Sequence, residues 1–261
     1  MAVLLLAGGV VDGAQAQRGG AGDSAGRGGW ADPSVIIAAE LGYGRVAAEK
    51  GRWPALSRIV AEDALLFRPG PVLAQGWLKG QHEAVLPIRW RTAAVFMACD
   101  GSHAVTTGRW TGAVGSGADA GGGWFANIWR RDKKGYRLIL SDDDGSAAEN
   151  SSPAPALSTT GGTGDDEREL EAITARVAVC PRRASGPRTE AKGVALANAP
   201  TAPPPRDPRA PLPLSREEGS PDGTLRWRWA VTPGGGRTLE AWMASDGGDV
   251  NILSHRTGPA G

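Results

Sequence analysis

Acid–base catalysis needs titratable side chains that line a pocket able to shift their pKa values. The four segments with strand-like patterns contain no Asp, Glu or His. The acidic candidates lie outside them, at Glu40, Asp63, Glu83 and Asp142. At the end of the last strand, a shift of one residue decides whether Ser141 or Asp142 faces the interior. This sparse set of acids favours a protein without catalysis over an enzyme.

Metal and cofactor motifs are incomplete. His82-Glu83 begins like a zinc-protease motif, but position 86 is Leu where the second histidine would stand. The acidic run 142–144 lacks the spacing and terminal Glu of a calcium loop, so we interpret it as a solvated turn. His103 follows the Asp100-Gly101 turn and is expected to be exposed. We therefore predict neither a metal nor a cofactor.

Tryptophan is a stronger signal than the acids. Strand alternation places Phe125, Asn127 and Trp129 on one face of their strand. These rings either fill a core or line an apolar pocket, and both interpretations can hold for different residues. The ligand-binding candidates are Tyr43, Phe67, Trp77, Trp110, Asn127 and Trp129.

Two helices begin the folded part of the chain. Asp32 is the expected N-cap, Pro33 takes the first helical position, and Gly51 ends the helix. Trp53-Pro54 opens a second helix through about Val60.

A short strand, a Pro-rich corner and a short helix near 78–85 are predicted to follow the second helix. Strand patterns then follow at 88–99, 104–111, 124–131 and 136–141. Tight-turn signals lie between the first two and between the last two, and a long Gly-rich connection joins the middle pair. Helices followed by an antiparallel meander predict an α+β fold.

The chain after residue 145 differs in composition. Residues 146–221 are predicted to be a low-complexity, Pro-rich linker with one helix over 165–180. Residues 222–261 are predicted to be a small β-hairpin extension that packs on the main domain or on a partner. The main domain is placed at 32–145, after a flexible Gly-rich segment at 17–31.

Charge and the N-terminus bear on partners and compartment. The net charge is +1, so we predict no nucleic-acid binding. Residues 1–16 fit a signal peptide with an atypical n-region, since no Lys or Arg precedes the apolar run. We predict a periplasmic or secreted protein without a transmembrane segment. Two unrelated thiols are favoured over a Cys99–Cys180 bridge.

The stretch from Glu40 through Asp142 resembles the SnoaL-like, DUF4440-type members of the NTF2-like superfamily. The similar segments are ELGYGRVAAEKGRWPAL, EDALLFRPGPVLAQGWL, TTGRW and NIWRRDKKGYRLIL, in that order. Tyr136 stands where the family's closing hairpin usually has Trp. The resemblance implies a cone, with N-terminal helices wrapped by a curved antiparallel sheet around a pocket.

The resemblance leaves function open, because this fold hosts both enzymes and binders. Our first prediction is a domain that binds a small apolar molecule, or a dimerising scaffold that forms a homodimer, without catalysis. The first alternative is a SnoaL-like isomerase or hydrolase in which Tyr43 acts with Asp63 or Asp142. The second alternative is a structural protein-interaction module.

Overall fold

The computed structural model describes residues 31–81, 88–113, 120–143, 172–181 and 211–258. Helix α1 spans Pro33–Lys50. Asp32 caps it by accepting a hydrogen bond from the Ser34 backbone N–H at 2.9 Å, and Gly51 ends it with a φ of 87°. Both predicted ends of this helix are confirmed.

The second helix is shorter than predicted. Helix α2 spans Arg52–Leu56, and strand β1 already begins at Val60 and runs to Arg68. The predicted end of the helix at about Val60 is wrong, because Val60 pairs with Leu138 in the sheet.

The Pro-rich corner is a hairpin rather than an irregular bend. Strand β2 spans Gly70–Leu73 and pairs antiparallel with β1, with Phe67 opposite Pro71. Proline fits here because β2 is an edge strand and has a free side. Helix α3 follows at Ala74–Leu78, earlier than the predicted 78–85, and residues 82–87 lie outside the described ones.

The predicted meander is present, with a first strand that ends two residues earlier than predicted and three further strands that are longer than predicted. It consists of β3 (Ile88–Met97), β4 (His103–Ala113), β5 (Ala120–Asp132) and β6 (Gly135–Asp143). Strand β1 adds parallel to β6, and β7 (Thr174–Val177) lies at the far edge, which gives the order β2-β1-β6-β5-β4-β3-β7. The α+β prediction is confirmed. We call the face that carries α1 the helix side and the opposite face the outer face.

A β-bulge in β6 decides which acidic residue faces the helix side. The register pairs Ile128 with Leu140 but Trp129 with Leu138, so Ile139 is an extra residue in β6. An extra residue reverses the alternation of side chains beyond it. Asp143 therefore points to the helix side, whereas Asp142 points to the outer face.

The predicted helix over 165–180 is wrong where the structure describes the chain. Strand β7 spans Thr174–Val177 and pairs parallel with β3 at the edge of the seven-stranded sheet. A disulfide joins Cys99, just after β3, to Cys180, just after β7. The preference for two unrelated thiols is therefore also wrong. Pairing with β3 and this cross-link override the helical spacing of Ile173 and Val177.

The C-terminal region forms a second sheet, which is larger than the predicted hairpin. It consists of β8 (Ser215–Gly219), β9 (Leu225–Val231), β10 (Arg237–Ser245) and β11 (Gly248–Thr257), in the order β11-β10-β9-β8. Strand β8 lies within the predicted linker at 146–221, so this part of the linker has regular structure, because it pairs with β9. The domain boundaries at 145 and 221 stay a prediction.

Two hydrophobic cores result from this arrangement. One lies on the helix side, between α1 and the first sheet, and contains Ile36, Tyr43 and Trp129. The other lies between the outer face and the second sheet, where Trp229 meets the Phe67 ring edge-on at 5.3 Å. Within the described ranges, no helix combines the length and apolarity needed to cross a membrane.

Candidate functional site

Two arginines share one carboxylate on the helix side. Arg52, the first residue of α2, and Arg68, the last residue of β1, both pair with Asp143 at the end of β6. The distance from Arg68 Nη1 to Asp143 Oδ1 is 3.1 Å. Asp143 is buried, Arg52 is buried, and the Arg68 side chain keeps 20 % of its surface exposed. We call Arg52, Arg68, Asp143 and the adjacent Trp53 and Trp77 the arginine site.

The protonation of Asp143 follows from these contacts. Burial alone would raise the pKa of its carboxyl group, but the charges of Arg52 and Arg68 outweigh burial. The pKa of Asp143 therefore lies well below its usual range. Asp143 is an anchor for guanidinium groups and a poor base near neutral pH.

Indole rings surround both guanidinium groups. The Arg52 guanidinium carbon lies 4.4 Å from the centre of the Trp53 ring. The Arg68 guanidinium carbon lies 5.1 Å and 4.8 Å from the ring centres of Trp53 and Trp77. The two indoles meet edge to face at 4.9 Å. Such cation–π contacts strengthen as water is excluded, so the surroundings favour cations held in a fixed position.

Further aromatic rings continue the site inward along the sheet. Trp90 stacks on Phe125 at 3.9 Å between ring centres. Gly108 makes room for this stack, since a Cβ there would lie 2.7 Å from the Phe125 ring. Trp110 packs in the same cluster, 5.7 Å from the Arg52 guanidinium carbon.

Glu40 is a second buried acid on the helix side. Its Oε1 accepts hydrogen bonds from Asn127 Nδ2 at 3.1 Å and Trp129 Nε1 at 3.0 Å, and from the Thr106 hydroxyl. Its Oε2 accepts from Trp90 Nε1 at 3.0 Å. Burial raises the pKa of Glu40, although these four donors act in the opposite direction. The carboxyl group ties α1 to β3, β4 and β5.

Tyr43 lies between the two acidic groups. Its ring meets Trp90 edge-on at 5.0 Å and is almost fully buried. Burial raises the pKa of its hydroxyl, and Arg52, Asp143 and Glu40 also act on it electrostatically. Tyr43 therefore keeps its proton and remains a hydrogen-bond donor at ordinary pH.

The structure places the predicted ligand-binding residues on two different faces. Tyr43, Trp77, Trp110, Asn127 and Trp129 all lie on the helix side. Phe67 lies on the outer face, against Trp229 and 5.6 Å from the Arg237 guanidinium carbon. Neighbouring side chains alternate along β1, so Phe67 and Arg68 point to opposite faces.

The proposed catalytic set does not come together. Asp63 is partly exposed and forms a two-pronged ion pair with Arg130, at 3.0 Å and 2.8 Å. Asp142 lies buried between the sheets, 2.7 Å from Arg237 Nε and 3.2 Å from His255 Nδ1. Tyr43 is on the helix side and contacts neither environment.

Two further expectations are corrected. The run 142–144 is not a solvated turn at its first two positions, because Asp142 and Asp143 are both buried in ion pairs. His103 is not an exposed loop residue. It is the first residue of β4 and is buried. The centre of its ring lies 5.3 Å from the ring centre of Trp227 in the second sheet, and this contact excludes water.

Sequence reasoning missed Arg52, Arg68 and Asp143. A search for acids on the strands overlooks arginines that sit next to tryptophan or proline. A usable signal was present, since Arg52-Trp53-Pro54 and Phe67-Arg68-Pro69 place a cation inside an apolar segment.

No protein-family model matches the sequence, and the comparison with curated proteins found no match. Many solved structures are similar to part of the chain, the following three among them. An NTF2-like protein of unknown function from Shewanella oneidensis is 14% identical, with a TM-score of 0.36, over 42% of this chain and 96% of its own.

An NTF2-like protein of unknown function from Prochlorococcus marinus is 11% identical, with a TM-score of 0.37, over 44% of this chain and 94% of its own. An NTF2-like protein of unknown function in nutrient uptake from Rhodospirillum rubrum is 21% identical, with a TM-score of 0.33, over 42% of this chain and 98% of its own. These three neighbours are described as NTF2-like proteins, and the SnoaL-like, DUF4440-type subtype stays a prediction for this chain.

Proposed function

We propose that the protein binds a small molecule with an apolar body at the arginine site and does so without catalysis. The observation that carries this proposal is the partly exposed pair of Trp53 and Trp77 beside Arg68. Indoles that are only half-buried next to a fixed cation give a ligand both contact area and orientation.

The protonation states support binding over acid–base chemistry. Asp143 is held as a carboxylate by two arginines, and Tyr43 keeps its proton. Glu40 has a raised pKa, but four donors enclose it and leave it almost without exposed surface. The alternative of a SnoaL-like isomerase or hydrolase needs Tyr43 next to Asp63 or Asp142, and these residues lie in different environments.

The dimerising scaffold receives less support than the binder. One way to form a homodimer is to pack the outer faces of two first sheets against each other. In this chain the second sheet already covers the outer face with Trp227, Trp229 and Leu239. A homodimer would need another surface. The interaction-module alternative loses support for the same reason, since the C-terminal strands pack on this chain's own first sheet.

We also propose that the protein is exported to the periplasm or secreted. Disulfides persist in oxidising compartments, and Cys99 and Cys180 are bridged. Residues 1–16 lie outside the described ones, so the signal peptide stays a prediction. Intact mass spectrometry of the protein from its host should show a mature chain that lacks about sixteen residues, together with its oligomeric state. A chain that retains its start would contradict export through a cleaved signal.

Binding is tested with uncharged aromatic probes, such as indole and 2-phenylethanol, followed by saturation-transfer NMR. We expect a Kd in the millimolar range or better, because the probe contacts two indoles. Trp77→Ala should weaken binding about tenfold, since a buried aromatic contact is worth on the order of 1 kcal/mol or more.

The matched control is Trp242→Ala. Trp242 lies in β10 of the second sheet, next to Arg228 and away from the arginine site. Equal loss of binding in both variants, or no binding of any probe to the wild-type protein, would contradict the proposed function.

A further inference from the structure

Arg68 has a hydrogen-bond donor that the protein leaves without an acceptor. Its Nη1 donates to the Phe67 carbonyl at 2.6 Å and to Asp143 Oδ1 at 3.1 Å. Its Nη2 is buried and has no hydrogen-bond partner among the described residues. Leaving a buried donor unpaired is costly, and more so when the group carries a charge. An oxygen atom of a ligand would therefore supply the acceptor that Arg68 Nη2 lacks.

The contacts of Nη1 fix the direction of this donor. The guanidinium group is planar, so a carbonyl and a carboxylate on Nη1 determine where Nη2 points. Trp53 and Trp77 hold the same group from two further sides. Arg68 is thus already ordered before any ligand arrives, which lowers the entropy cost of binding an anion.

We propose that the ligand of the arginine site is a small organic acid whose carboxylate accepts a hydrogen bond from Arg68 Nη2. This assignment rests on the proposed function and adds the ligand's charged group to it. A carboxylate is planar and singly charged, so it matches a guanidinium group at a lower desolvation cost than a phosphate. The apolar body of the acid then lies against Trp53 and Trp77.

Entry of the acid requires one indole to move. Nη2 is shielded from solvent, whereas Trp53 and Trp77 are each only partly buried. Rotation of an indole about its side-chain bonds is the smallest movement that uncovers Nη2. Arg52 remains on Asp143 during this step, so the carboxylate that orients Arg68 stays in place.

The test compares acids with their uncharged amides on the full-length protein. The probes are benzoate, phenylacetate, 3-phenylpropionate and indole-3-acetate, each beside its primary amide, with Kd values from isothermal titration calorimetry. We expect at least one acid to bind about tenfold or more tightly than its amide, because hydrogen bonds to charged groups exceed neutral ones. The preference should weaken as salt is added.

Variants assign the preference to Arg68. Arg68→Gln should reduce the ratio of amide Kd to acid Kd to about one, and Arg68→Lys should retain part of the ratio. Arg89→Gln is the matched control, since Arg89 is exposed on β3 and alternates with Trp90, so its side chain points to the face opposite the arginine site. Thermal unfolding of each variant verifies that it is folded.

The possible outcomes distinguish failure of the carboxylate inference from failure of the proposed function. Equal Kd values for acid and amide on the wild-type protein, or a preference that survives Arg68→Gln, would overturn the carboxylate inference and leave the proposed function standing. Binding of neither acids nor amides would overturn both. The wild-type comparison gives this decision even if Arg68→Gln does not fold.

Discussion

Asp143 organises the arginine site through its two ion pairs. Its two oxygens hold Arg52 from α2 and Arg68 from β1, and thereby connect three elements. A buried carboxylate is costly unless its charge is paired, and here two guanidinium groups pair it. The same contacts that hold the pKa of Asp143 low also make the residue important for folding.

Replacing Asp143 by Asn should destabilise the protein by about 3 kcal/mol or more, because a buried arginine would lose its counter-charge. Urea denaturation followed by tryptophan fluorescence measures this free energy of unfolding. Asp63→Asn is the matched control, since its ion pair with Arg130 is exposed and worth below about 1 kcal/mol. A loss for Asp143→Asn no larger than that for Asp63→Asn would contradict the role of Asp143.

The end of β6 is a place where the sequence does not predict which side chain faces the helix side. Alternation along β6 predicts that either Ser141 or Asp142 faces the interior, and it contains no sign of the bulge at Ile139. A bulge is not encoded by alternation, because it depends on how β5 and β6 twist against each other. The sequence therefore predicts Asp142 as the candidate acid, whereas Asp143 reaches the arginine site.

At the scale of elements, strong local signals predicted the structure well. The Asp32-Pro33 start, the Gly51 stop and the tight turn at Asp100-Gly101 each have a physical basis within a few residues. Strand β7 has no such local signal, because its four residues together with Ile173 show the apolar spacing of an amphipathic helix. Its conformation comes from pairing with β3 about eighty residues earlier, which no local pattern contains.

Removing the disulfide should lower the free energy of unfolding by about 4 kcal/mol, since it closes a loop with a sequence separation of 81 residues. The variant is Cys99→Ser with Cys180→Ser, measured by urea denaturation. Wild-type protein treated with reductant is the control and should match the variant. Unchanged stability in both, or two reactive thiols in the untreated protein, would contradict the bridge.

At the scale of the whole molecule, stability depends on the contact between two sheets. Polar groups cross this contact as well as apolar ones: Arg237 of β10 donates to the Asp143 carbonyl at 3.0 Å and to Asp142. The small size of the C-terminal piece predicted that its strands could not stand alone, but not which face they would cover. That face follows from which side of the first sheet carries Ile128, Leu140 and Phe67.

His103 makes this contact sensitive to pH. Burial against the second sheet is the main cause that lowers the pKa of His103 to about 4, and Arg130 adds to it. The unfolded chain takes up a proton near pH 6.5, before the folded one does. The contribution of His103 to the free energy of unfolding should thus be fully present above pH 6.5. It should fall by on the order of 3 kcal/mol as the pH drops to about 4.

His103→Gln should remove that part of the decline, because glutamine does not titrate. The measurement is the free energy of unfolding between pH 7 and pH 4, taken as wild type minus variant so that other acidic groups cancel. Ser102→Ala is the control, since it removes the hydroxyl 2.9 Å from His103 Nδ1 and keeps the imidazole. A flat difference curve would contradict the buried, neutral histidine.

The second sheet also has a consequence for how the chain is made. Its strands lie 72 to 114 residues beyond the end of β6, since β6 ends at Asp143 and the second sheet runs from Ser215 to Thr257. At roughly 5–20 residues per second, the outer face of the nascent first sheet waits on the order of ten seconds for its cover. During that interval Phe67, Ile128 and Leu140 have no intramolecular neighbours from the second sheet, so the growing chain exposes an apolar surface of the kind that holding chaperones bind.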